Sequence, residues 1–347
     1  MAFQKISIEQ FLALATSTVI DVRSPSEFAH ACIPTAINIP LFSDEERKII
    51  GTAYKQESKE IAIKLGLDFY GPKMRGIVER VEQIVAGSES KTVVVHCWRG
   101  GMRSNAIAWL LDFYGFEVLL LEGGYKNFRL WGIQQFEKEY NFKVIGGFTG
   151  SGKTLILNEF KANNEIQIDL EGLASHKGSA LGAIGQAPQP SQEMFENSLA
   201  LKLFRATEVD KNTVIYIEDE SQRIGKLFVP LKIYEQMRKS IVFFLSIPFE
   251  VRLTYLVAEY GDHPKELLIA AIERIQKRLG GLETKNAIAY LVADNTIECF
   301  RILLSYYDRW YEKGLNAREN LKDTIIKVEA DSIDPIMNRK RILTHQK

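Results

Sequence analysis

Residues 92–105, TVVVHCWRGGMRSN, lead from a run of β-branched residues through a cysteine loop into the next segment. The run from Thr92 to Val95 predicts a buried strand. After the loop, NAIAWLLDFYGF has apolar residues at helical spacing, and Gly115 is placed to end that helix. Short apolar runs of the same kind, STVIDVR, AINIP and EVLLLEGG, alternate with helical stretches from residue 6 to residue 145. Strands that are apolar throughout and separated by helices predict a parallel α/β sheet.

A strand, a glycine-rich turn and a helix follow again in FKVIGGFTGSGKTLILNEF, which begins at residue 142. Two further strands are predicted at 213–221 and 240–248, and the chain beyond them is mostly helical in period. A length of 347 residues also suggests two domains, at ~150 residues each. We therefore predict a parallel-sheet domain at residues 1–127, a connecting helix at 128–141, and a second α/β domain with a helical C-terminal part at 142–347.

The composition excludes several classes of protein. The 44 basic and 44 acidic side chains cancel, and 46% hydrophobic with 25% charged residues is typical of a soluble globular chain, so any nucleic acid must bind a local basic patch. Cys32, Cys97 and Cys299 are too few and too far apart for a disulfide framework or a zinc site, which indicates a reducing interior and no metal site. No run reaches ~18 uninterrupted apolar residues, so we expect a cytoplasmic protein without a membrane segment.

Cys97 begins a loop with the composition of an anion-binding site. It follows the predicted strand and precedes a helix, whose dipole and loop N–H groups stabilise a negative charge. Gly100 and Gly101 allow the backbone to curl inward, and Arg99 and Arg103 add positive charge. Such neighbours favour the thiolate, which is the reactive form of cysteine. We interpret Cys97 as a nucleophile rather than as a small apolar residue that ends a strand.

Residues 147–154, GFTGSGKT, match the phosphate-binding pattern G-x-x-x-x-G-K-[ST]. They lie between a predicted strand and a predicted helix, which is the context that the motif requires. The loop amides wrap a phosphate, Lys153 adds charge, and the Thr154 hydroxyl can hold a magnesium ion, while no tightly bound cofactor is indicated. The predicted phosphate-binding residues are Gly147, Gly150, Ser151, Gly152, Lys153 and Thr154.

Acidic and polar residues after the neighbouring strands are candidates for acid chemistry or substrate binding. The acids at 218–220 end a predicted strand at the position of a Walker B carboxylate, with a solvated strand end as the alternative. The glycine-rich segment 174–192, ASHKGSALGAIGQAPQPSQ, is either a substrate-binding lid or a plain surface loop. The candidates from these segments and from the end of a short strand, IQI, are Asp169, Glu171, His176, Lys177, Ser179, Glu218 and Asp219.

The cysteine loop fits the patterns of two known families. Residues 96–104, HCWRGGMRS, match the signature of cysteine phosphatases. Upstream, residues 21–28, DVRSPSEF, and 30–40, HACIPTAINIP, resemble the N-terminal motif of rhodanese domains, and residues 122–125, EGGY, resemble their glycine pair after the last strand. This resemblance favours a rhodanese domain. Rhodaneses carry sulfur or selenium as a persulfide or perselenide on the loop cysteine.

Two departures from the rhodanese pattern are present. Cys32 and Thr35 replace the common His and Gly of the N-terminal motif, whose role is structural. The cysteine loop is also one residue longer than in simple rhodaneses. A wider loop favours a phosphate-bearing donor over a small thiosulfate.

A rhodanese loop followed by a P-loop domain, in a chain of this length, resembles the tRNA 2-selenouridine synthase family. The similarity covers nearly the whole sequence, and the order of the two loops is its most specific feature. It rests on residues 42–47 (FSDEER), 51–56 (GTAYKQ), 97–104 (CWRGGMRS), 147–154 (GFTGSGKT) and 170–179 (LEGLASHKGS).

The resemblance implies an enzyme that acts on 2-thiouridine at the wobble position of tRNA. In this family the thio group is alkylated by geranyl diphosphate, and selenium from selenophosphate then replaces the geranylthiol. It further implies that the P-loop holds the diphosphate, and that Cys97 carries selenium beside the charges of Arg99 and Arg103. Trp98 is expected to stack on the base or to line the geranyl channel, with core packing as the alternative.

Local positive charge for tRNA is expected at Arg274, Lys277 and Arg278, which share a helix face, and at the basic tail 339–341. Aromatic residues at 306–311 are candidates for base stacking or for core packing. Two rival interpretations remain open. One is a sulfurtransferase that uses ATP at its P-loop, and the other is a phosphatase fused to an ATP-dependent kinase. A non-catalytic RNA-binding module does not account for two anion-binding loops.

Overall fold

The computed structural model describes residues 3–14, 17–86, 91–316, 318 and 324–345, and the chain divides into two compact units. The first unit comprises Met1–Gln135 together with Glu196–Ser198, and the second comprises Phe136–Phe195 together with Leu199–Lys347. The connecting helix predicted at 128–141 is observed instead at Gly124–Gln135, so it begins and ends earlier than expected and belongs to the first unit.

The first unit contains a five-stranded sheet in which every pairing is parallel, in the order β1-β5-β4-β2-β3. A short 3-10 helix, Gly71–Lys73, joins two of its helices. The strands are β1 (Gln4–Ile6), β2 (Thr18–Asp21), β3 (Ile37–Asn38), β4 (Thr92–His96) and β5 (Glu117–Leu121). The helices are α1 (Ile8–Leu12), α2 (Pro25–His30), α3 (Asp44–Gln56), α4 (Lys59–Tyr70), α5 (Met74–Val85), α6 (Met102–Tyr114) and α7 (Gly124–Gln135).

The central position of β4 explains its composition. Val93, Val94 and Val95 are fully buried, and burying each such side chain stabilises the fold by roughly 1.5–3 kcal/mol. The strand delivers Cys97 to the carboxyl edge of the sheet, and α6 follows after the loop. Gly115 ends α6 with φ 113°, in the left-handed region that glycine adopts without strain. The strand, the helix and its stop are therefore confirmed as the sequence predicts.

The second unit contains another five-stranded parallel sheet, in the order β12-β11-β6-β8-β7, and a two-stranded antiparallel ribbon. The strands are β6 (Asn141–Gly147), β7 (Gln167–Ile168), β8 (Val214–Glu218), β9 (Arg223–Ile224), β10 (Leu227–Phe228), β11 (Ile241–Ser246) and β12 (Ile325–Glu329). The helices from residue 136 onward are α8 (Lys153–Ala162), α9 (Leu170–Ala174), α10 (Gln192–Ala206), α11 (Leu231–Lys239), α12 (Phe249–Tyr260), α13 (Lys265–Arg274), α14 (Gln276–Leu279), α15 (Gly281–Val292), α16 (Thr296–Asn316) and α17 (Pro335–Thr344).

The phosphate-binding segment lies at the centre of this sheet, because β6 pairs with β8 on one side and with β11 on the other. Ile145 of β6 is opposite Glu218 of β8, which brings the P-loop and the acids at 218–220 to the same edge. Helices predominate after residue 248, as predicted, but β12 was not predicted and extends the sheet beside β11. No helix among the described residues is long and apolar enough to cross a bilayer.

Candidate active sites

The Cys97 side chain is held at the N-terminus of α6. It is 3% exposed, its Sγ lies 3.2 Å from Ser104 Oγ, and the Gly101 N–H donates to it at 3.4 Å. Burial opposes ionisation of the thiol, but hydrogen bonds from the Ser104 hydroxyl and from the N–H groups of Arg99, Ser104 and Gly101 outweigh it. The pKa of Cys97 is therefore lowered from its ordinary value.

The other two cysteines behave differently. Burial, the largest cause in both, raises the pKa of Cys32 to about 11 and that of Cys299 to about 12. Cys97 is thus the cysteine whose surroundings favour the reactive form.

The glycine pair at 123–124 lies so close to the backbone of the cysteine loop that a side chain at Gly124 would clash with it. Gly124 has φ 57°, and a Cβ atom there would lie 2.3 Å from the carbonyl oxygen of Cys97 and 2.7 Å from the Gly100 nitrogen. The N–H of Tyr125 donates to that Cys97 carbonyl at 2.9 Å. The start of α7 therefore packs directly on the loop backbone and fixes its position, which accounts for the EGGY sequence.

Arg103 is paired, whereas Arg99 is exposed on the loop. Arg103 Nη1 lies 2.6 Å from Glu27 Oε2, and Arg47 Nε lies 2.9 Å from the same oxygen. Burial alone would raise the pKa of Glu27, but Arg103, the Ser24 N–H and Arg47 lower it to about 2. Glu27 is a positioning residue for Arg103 that the sequence did not reveal, because the two are 76 residues apart in the chain.

Beneath the loop, the first Asp and Arg of the rhodanese motif form a buried ion pair. Arg23 Nη2 lies 2.6 Å from Asp21 Oδ2, with both side chains at most 1% exposed. The Arg23 guanidinium stacks 3.9 Å from the centroid of the Tyr125 ring. Trp98, which is 39% exposed, lies 5.5 Å from the same ring. One side of Trp98 therefore packs within the first unit while part of its surface remains exposed. This position is compatible with contact to a substrate and with core packing.

The P-loop has the geometry of an oxyanion cradle. Gly150 and Gly152 have φ 78° and 74°, and α8 begins at Lys153 immediately after them. The Lys153 ammonium curls back to the Gly147 carbonyl at 3.3 Å. In the described part of the chain, the buried Ser151 hydroxyl has no hydrogen-bond partner, so it can donate a hydrogen bond to an oxygen of a bound phosphate.

Arg252 supports the P-loop from below. Its side chain is 3% exposed and forms a two-point ion pair with Asp308 at 2.7 and 2.9 Å. It also donates to the Thr149 carbonyl at 3.1 Å and lies 4.9 Å from the Phe148 ring centroid. Because Asp308 offsets its charge, the role of Arg252 is to hold the loop backbone at Thr149. Sequence analysis missed it because Arg252 and Asp308 carry no local motif.

The acids predicted near the P-loop divide into two kinds. Glu218 is fully buried, its Oε1 accepts from the Glu171 N–H at 2.7 Å, and the Thr154 hydroxyl donates to Glu171 Oε2 at 3.2 Å. Burial, followed by the charges of nearby carboxylates, raises the pKa of Glu218 and of Glu220, and burial also raises that of Glu171. These three carboxyl groups can therefore hold protons that exposed acids would release.

The other two predicted acids have structural partners. Asp219 accepts from the Tyr311 hydroxyl at 2.7 Å and is paired with Arg318. Asp169 caps the N-terminus of α9 by accepting from the Gly172 N–H at 2.6 Å.

The segment 176–179 lies against the acid cluster. A Cβ atom at Gly178 would be 2.6 Å from Glu220 Oε2 and 2.9 Å from Glu171 Oε1. His176 is 9% exposed, and burial, followed by the charge of Arg274, lowers its pKa. Lys177 is paired with Glu259 at 2.5 Å, and Ser179 Oγ accepts from the Leu181 N–H at 3.2 Å. The segment therefore packs against the acid cluster through Gly178.

These features surround one cavity of about 1280 Å³ within the second unit. Lys153, Thr154, Glu171, His176 and Glu220 line its polar side, together with the remaining P-loop residues 149–152. Its charged lining comprises eight Lys or Arg side chains against five carboxylates. The apolar side is formed by α12 and α16, with Tyr255, Tyr260, Phe300, Leu303, Leu304, Tyr307 and Trp310. The cavity thus joins a cationic phosphate cradle to an aromatic wall.

Comparisons with known proteins agree with this architecture. A family model described as the tRNA 2-selenouridine synthase AAA domain matches residues 140–341, and a rhodanese-like domain model matches residues 7–130. The second match decides between the two families that the cysteine loop fits. The predicted rhodanese and P-loop fold classes are confirmed.

Several curated proteins named tRNA 2-selenouridine synthase are similar along most of their length. The one from Sulfurovum sp. (strain NBC37-1) is 32% identical, with 95% of this chain and 97% of that protein covered. Those from Nitrosomonas europaea and Shewanella pealeana are 36% and 30% identical, covering 74% and 92% of this chain and 67% and 94% of their own.

Among solved structures, the N-terminal domain of an ATP/GTP binding protein from Clostridium difficile 630 is 38% identical, covers 36% of this chain and 96% of its own, and has a TM-score of 0.35, on which no conclusion rests. The two domain matches and the full-length relatives together show that the chain belongs to the tRNA 2-selenouridine synthase family.

Proposed function

We propose that this chain converts 2-thiouridine at the wobble position of tRNA into 2-selenouridine through an S-geranyl-2-thiouridine intermediate. The observation that carries the proposal is the cavity in the second unit, where the P-loop cradle and the aromatic wall of α12 and α16 line the same space. A prenyl diphosphate has the matching chemistry, with a polyanionic head and an apolar tail. The names of the relatives support tRNA as the substrate.

In the first step, the thio group attacks the first carbon of geranyl diphosphate. The carbon–sulfur bond forms, the carbon–oxygen bond breaks, and pyrophosphate leaves. Lys153, Thr154 and the loop amides stabilise the charge that develops on the departing oxygens, and one such donor is worth about 10²–10³ in rate. Alkylation also releases the proton on the base nitrogen. Glu171 or Glu220 on the cavity wall can accept it when ionised, because a raised pKa makes the carboxylate a stronger base.

Alkylation prepares the base for exchange. Direct replacement of sulfur by selenium would expel sulfide, a poor leaving group, from the ring carbon. The alkylated sulfur leaves instead as geranylthiol. The carbon–selenium bond then forms as the carbon–sulfur bond breaks, and the thiol takes up a proton.

The Cys97 thiolate is proposed to take selenium from selenophosphate, with Arg99 offsetting the repulsion between two anions. Selenophosphate holds selenium at the oxidation level of selenide. A perselenide on Cys97 with phosphate released therefore requires a two-electron oxidant of the disulfide class, and delivery of its selenium to the ring carbon then requires a thiol that reduces the sulfur–selenium bond. Attack of the Cys97 thiolate on phosphorus requires no oxidant. The sulfur–phosphorus bond forms, selenide leaves into the loop, and water later hydrolyses the S-phosphocysteine. Mass spectrometry of the Cys97 peptide distinguishes the two intermediates, because the perselenide shows the isotope pattern of selenium and the S-phosphocysteine does not.

A magnesium ion at the P-loop remains a proposal. No group of three or more His, Cys, Asp or Glu side chains in the described ranges is arranged to hold a metal ion. An ion bound with the substrate would therefore depend on the Thr154 hydroxyl, the Glu171 carboxylate beside it, and phosphate oxygens. Its contribution would be to neutralise the leaving diphosphate.

The direct test is mass spectrometry of nucleosides from thiolated tRNA incubated with the protein, geranyl diphosphate and selenophosphate. We expect S-geranyl-2-thiouridine when selenophosphate is omitted and 2-selenouridine when both are present. Failure to form either nucleoside would contradict the proposal. The rival interpretations give other results: the phosphatase releases phosphate from a generic aryl phosphate, and the kinase or ATP-dependent sulfurtransferase requires ATP turnover.

A further inference from the structure

Trp310 on α16 is a large aromatic side chain that is 46% exposed. Two cations lie over its ring: the Arg278 guanidinium carbon is 5.7 Å from the ring centroid, and the Lys313 ammonium nitrogen is 4.9 Å from it. Each contact is a cation–π interaction of modest strength at an exposed position. An exposed tryptophan held between cations presents both of the groups that bind single-stranded nucleic acid, a stacking face and phosphate-neutralising charge.

Further positive charge surrounds this tryptophan. Arg309, Arg278 and Lys313 line a second cavity of about 340 Å³ with Trp310, against one carboxylate, Glu312. Arg274 and Lys277 are exposed on the adjacent α13 and α14 segments, and Glu273, the residue before Arg274, is an exposed acid. The surface is therefore basic although the whole chain carries no net charge.

The basic surface is continuous with the cavity that contains the P-loop. Arg278, Tyr306 and Trp310 line both cavities, and Arg274 and Lys277 line the larger one. A polyanion bound at Trp310 would thus have a path of protein surface leading toward the phosphate cradle. An acidic peptide could use the charges, but it would have no use for a flat aromatic face between them.

We propose that the surface formed by Arg274, Lys277, Arg278, Arg309, Trp310 and Lys313 binds the tRNA, with Trp310 stacking on a base near the modified nucleotide. This inference rests on the proposed function for tRNA as the substrate. The heads of Lys313 and Arg278 are flexible, so one yields its place over the ring to a base and moves onto a neighbouring phosphate. The stack holds the single-stranded anticodon loop while the target base enters the cavity.

The test is fluorescence anisotropy of the full chain with a labelled tRNA transcript at several salt concentrations. Replacing Lys277, Arg278 and Lys313 together by Glu should weaken binding at least tenfold and lower the salt slope by about 2–3, because each lost phosphate contact removes roughly 0.7–0.9. Trp310→Ala should weaken binding at least about fivefold with little change in slope, since stacking is not a counterion effect.

Two matched controls are available. Trp109→Ala removes a tryptophan that is 47% exposed and stacks on Phe113 in the first unit. Lys211→Glu reverses an exposed charge in a loop of the second unit. Both controls should bind the transcript like the parent. Lys313 lines only the smaller cavity, so Lys313→Glu should weaken RNA binding while pyrophosphate binding, measured by calorimetry, stays unchanged.

Parent-like RNA affinity and slope in the Trp310 and triple variants would overturn the assignment. A parallel loss of pyrophosphate binding in Lys313→Glu would also overturn it, because that charge would then serve the small substrate. The transcript needs no thiolation and no group transfer is measured, so a failure of the proposed chemistry leaves this result intact.

Discussion

The cysteine loop and the P-loop have similar backbone arrangements for binding an anion, but the carboxyl groups beside them differ in their ionisation. Each follows a buried central strand of a parallel sheet and leads into a helix of ten residues or more, so that N–H groups converge on an anion. In the cysteine loop the nearby carboxylate, Glu27, is ionised and paired with Arg103. Beside the P-loop, burial raises the pKa of Glu171, Glu218 and Glu220.

The difference teaches what each loop is suited to hold. The first lowers the pKa of its own cysteine and holds Arg103 in place through the ionised Glu27. The second combines a lysine with carboxyl groups that can bind or accept protons, which suits an incoming polyanion and a base that loses a proton. Four experiments test this comparison, from the largest expected effect to the smallest.

Gly124→Ala should have the largest effect on the first loop. A methyl group there meets the Cys97 carbonyl at 2.3 Å in a left-handed backbone conformation, so we expect a loss of about 3 kcal/mol in unfolding free energy. Gly101→Ala is the matched control, because a Cβ there has no atom within 4 Å and φ is −100°. Urea unfolding of both variants measures the contrast, and equal stability would show that α7 does not fix the loop.

Replacing Glu by Gln should have opposite signs in the two units. Glu27→Gln should cost on the order of 2 kcal/mol at pH 7, because the depressed pKa contributes stability above about pH 4.5 that is lost as the pH falls towards 2. Glu218 has a raised pKa, so its stabilising form is the protonated one, and ionisation destabilises the fold as the pH rises. Glu218→Gln should therefore leave stability at pH 8 unchanged or higher. Denaturant unfolding from pH 3 to pH 8 decides the signs, and a loss in both variants would remove the contrast.

Ser104→Ala should raise the pKa of the Cys97 thiol, because it removes the hydroxyl that lies 3.2 Å from Sγ and stabilises the thiolate. The rate of iodoacetamide labelling against pH, followed by peptide mass spectrometry, gives the value. Cys32 and Cys299 serve as internal references with pKa values of about 11 and about 12. Labelling of Cys97 at the pH of these two cysteines in the parent protein would contradict the thiolate assignment.

Thr35→Gly should stabilise the first unit slightly. Thr35 has φ 77°, a conformation that is strained for a β-branched residue and relaxed for glycine. The rhodanese-like position usually holds Gly, and the structure supplies the reason. We expect a gain of about 0.5–1 kcal/mol after the entropy cost of glycine, and a lower melting temperature in the variant would refute it.

Local motifs made both loops predictable from the sequence. The stretches TVVVHCWRGGMRSN and KVIGGFTGSGKT each contain a strand, a turn and a helix start within fewer than about twenty residues, so neighbouring residues suffice to identify them. Two ion pairs could not be predicted, Arg103 with Glu27 and Arg252 with Asp308. The residues of each pair are 76 and 56 positions apart and meet only in the folded chain. The start of α7 was missed because Gly124, a helix breaker by propensity, opens the helix where close backbone packing requires it.

The central claim is that the two loops act in succession on one base, the P-loop alkylating its sulfur and Cys97 supplying the selenium. Nucleoside mass spectrometry of thiolated tRNA treated with Cys97→Ala and with Lys153→Ala, in the presence of geranyl diphosphate and selenophosphate, tests it most directly. We predict that Cys97→Ala accumulates S-geranyl-2-thiouridine without 2-selenouridine, and that Lys153→Ala slows geranylation by about 10²–10³. Loss of both products in Cys97→Ala, or unaltered geranylation in Lys153→Ala, would contradict the account.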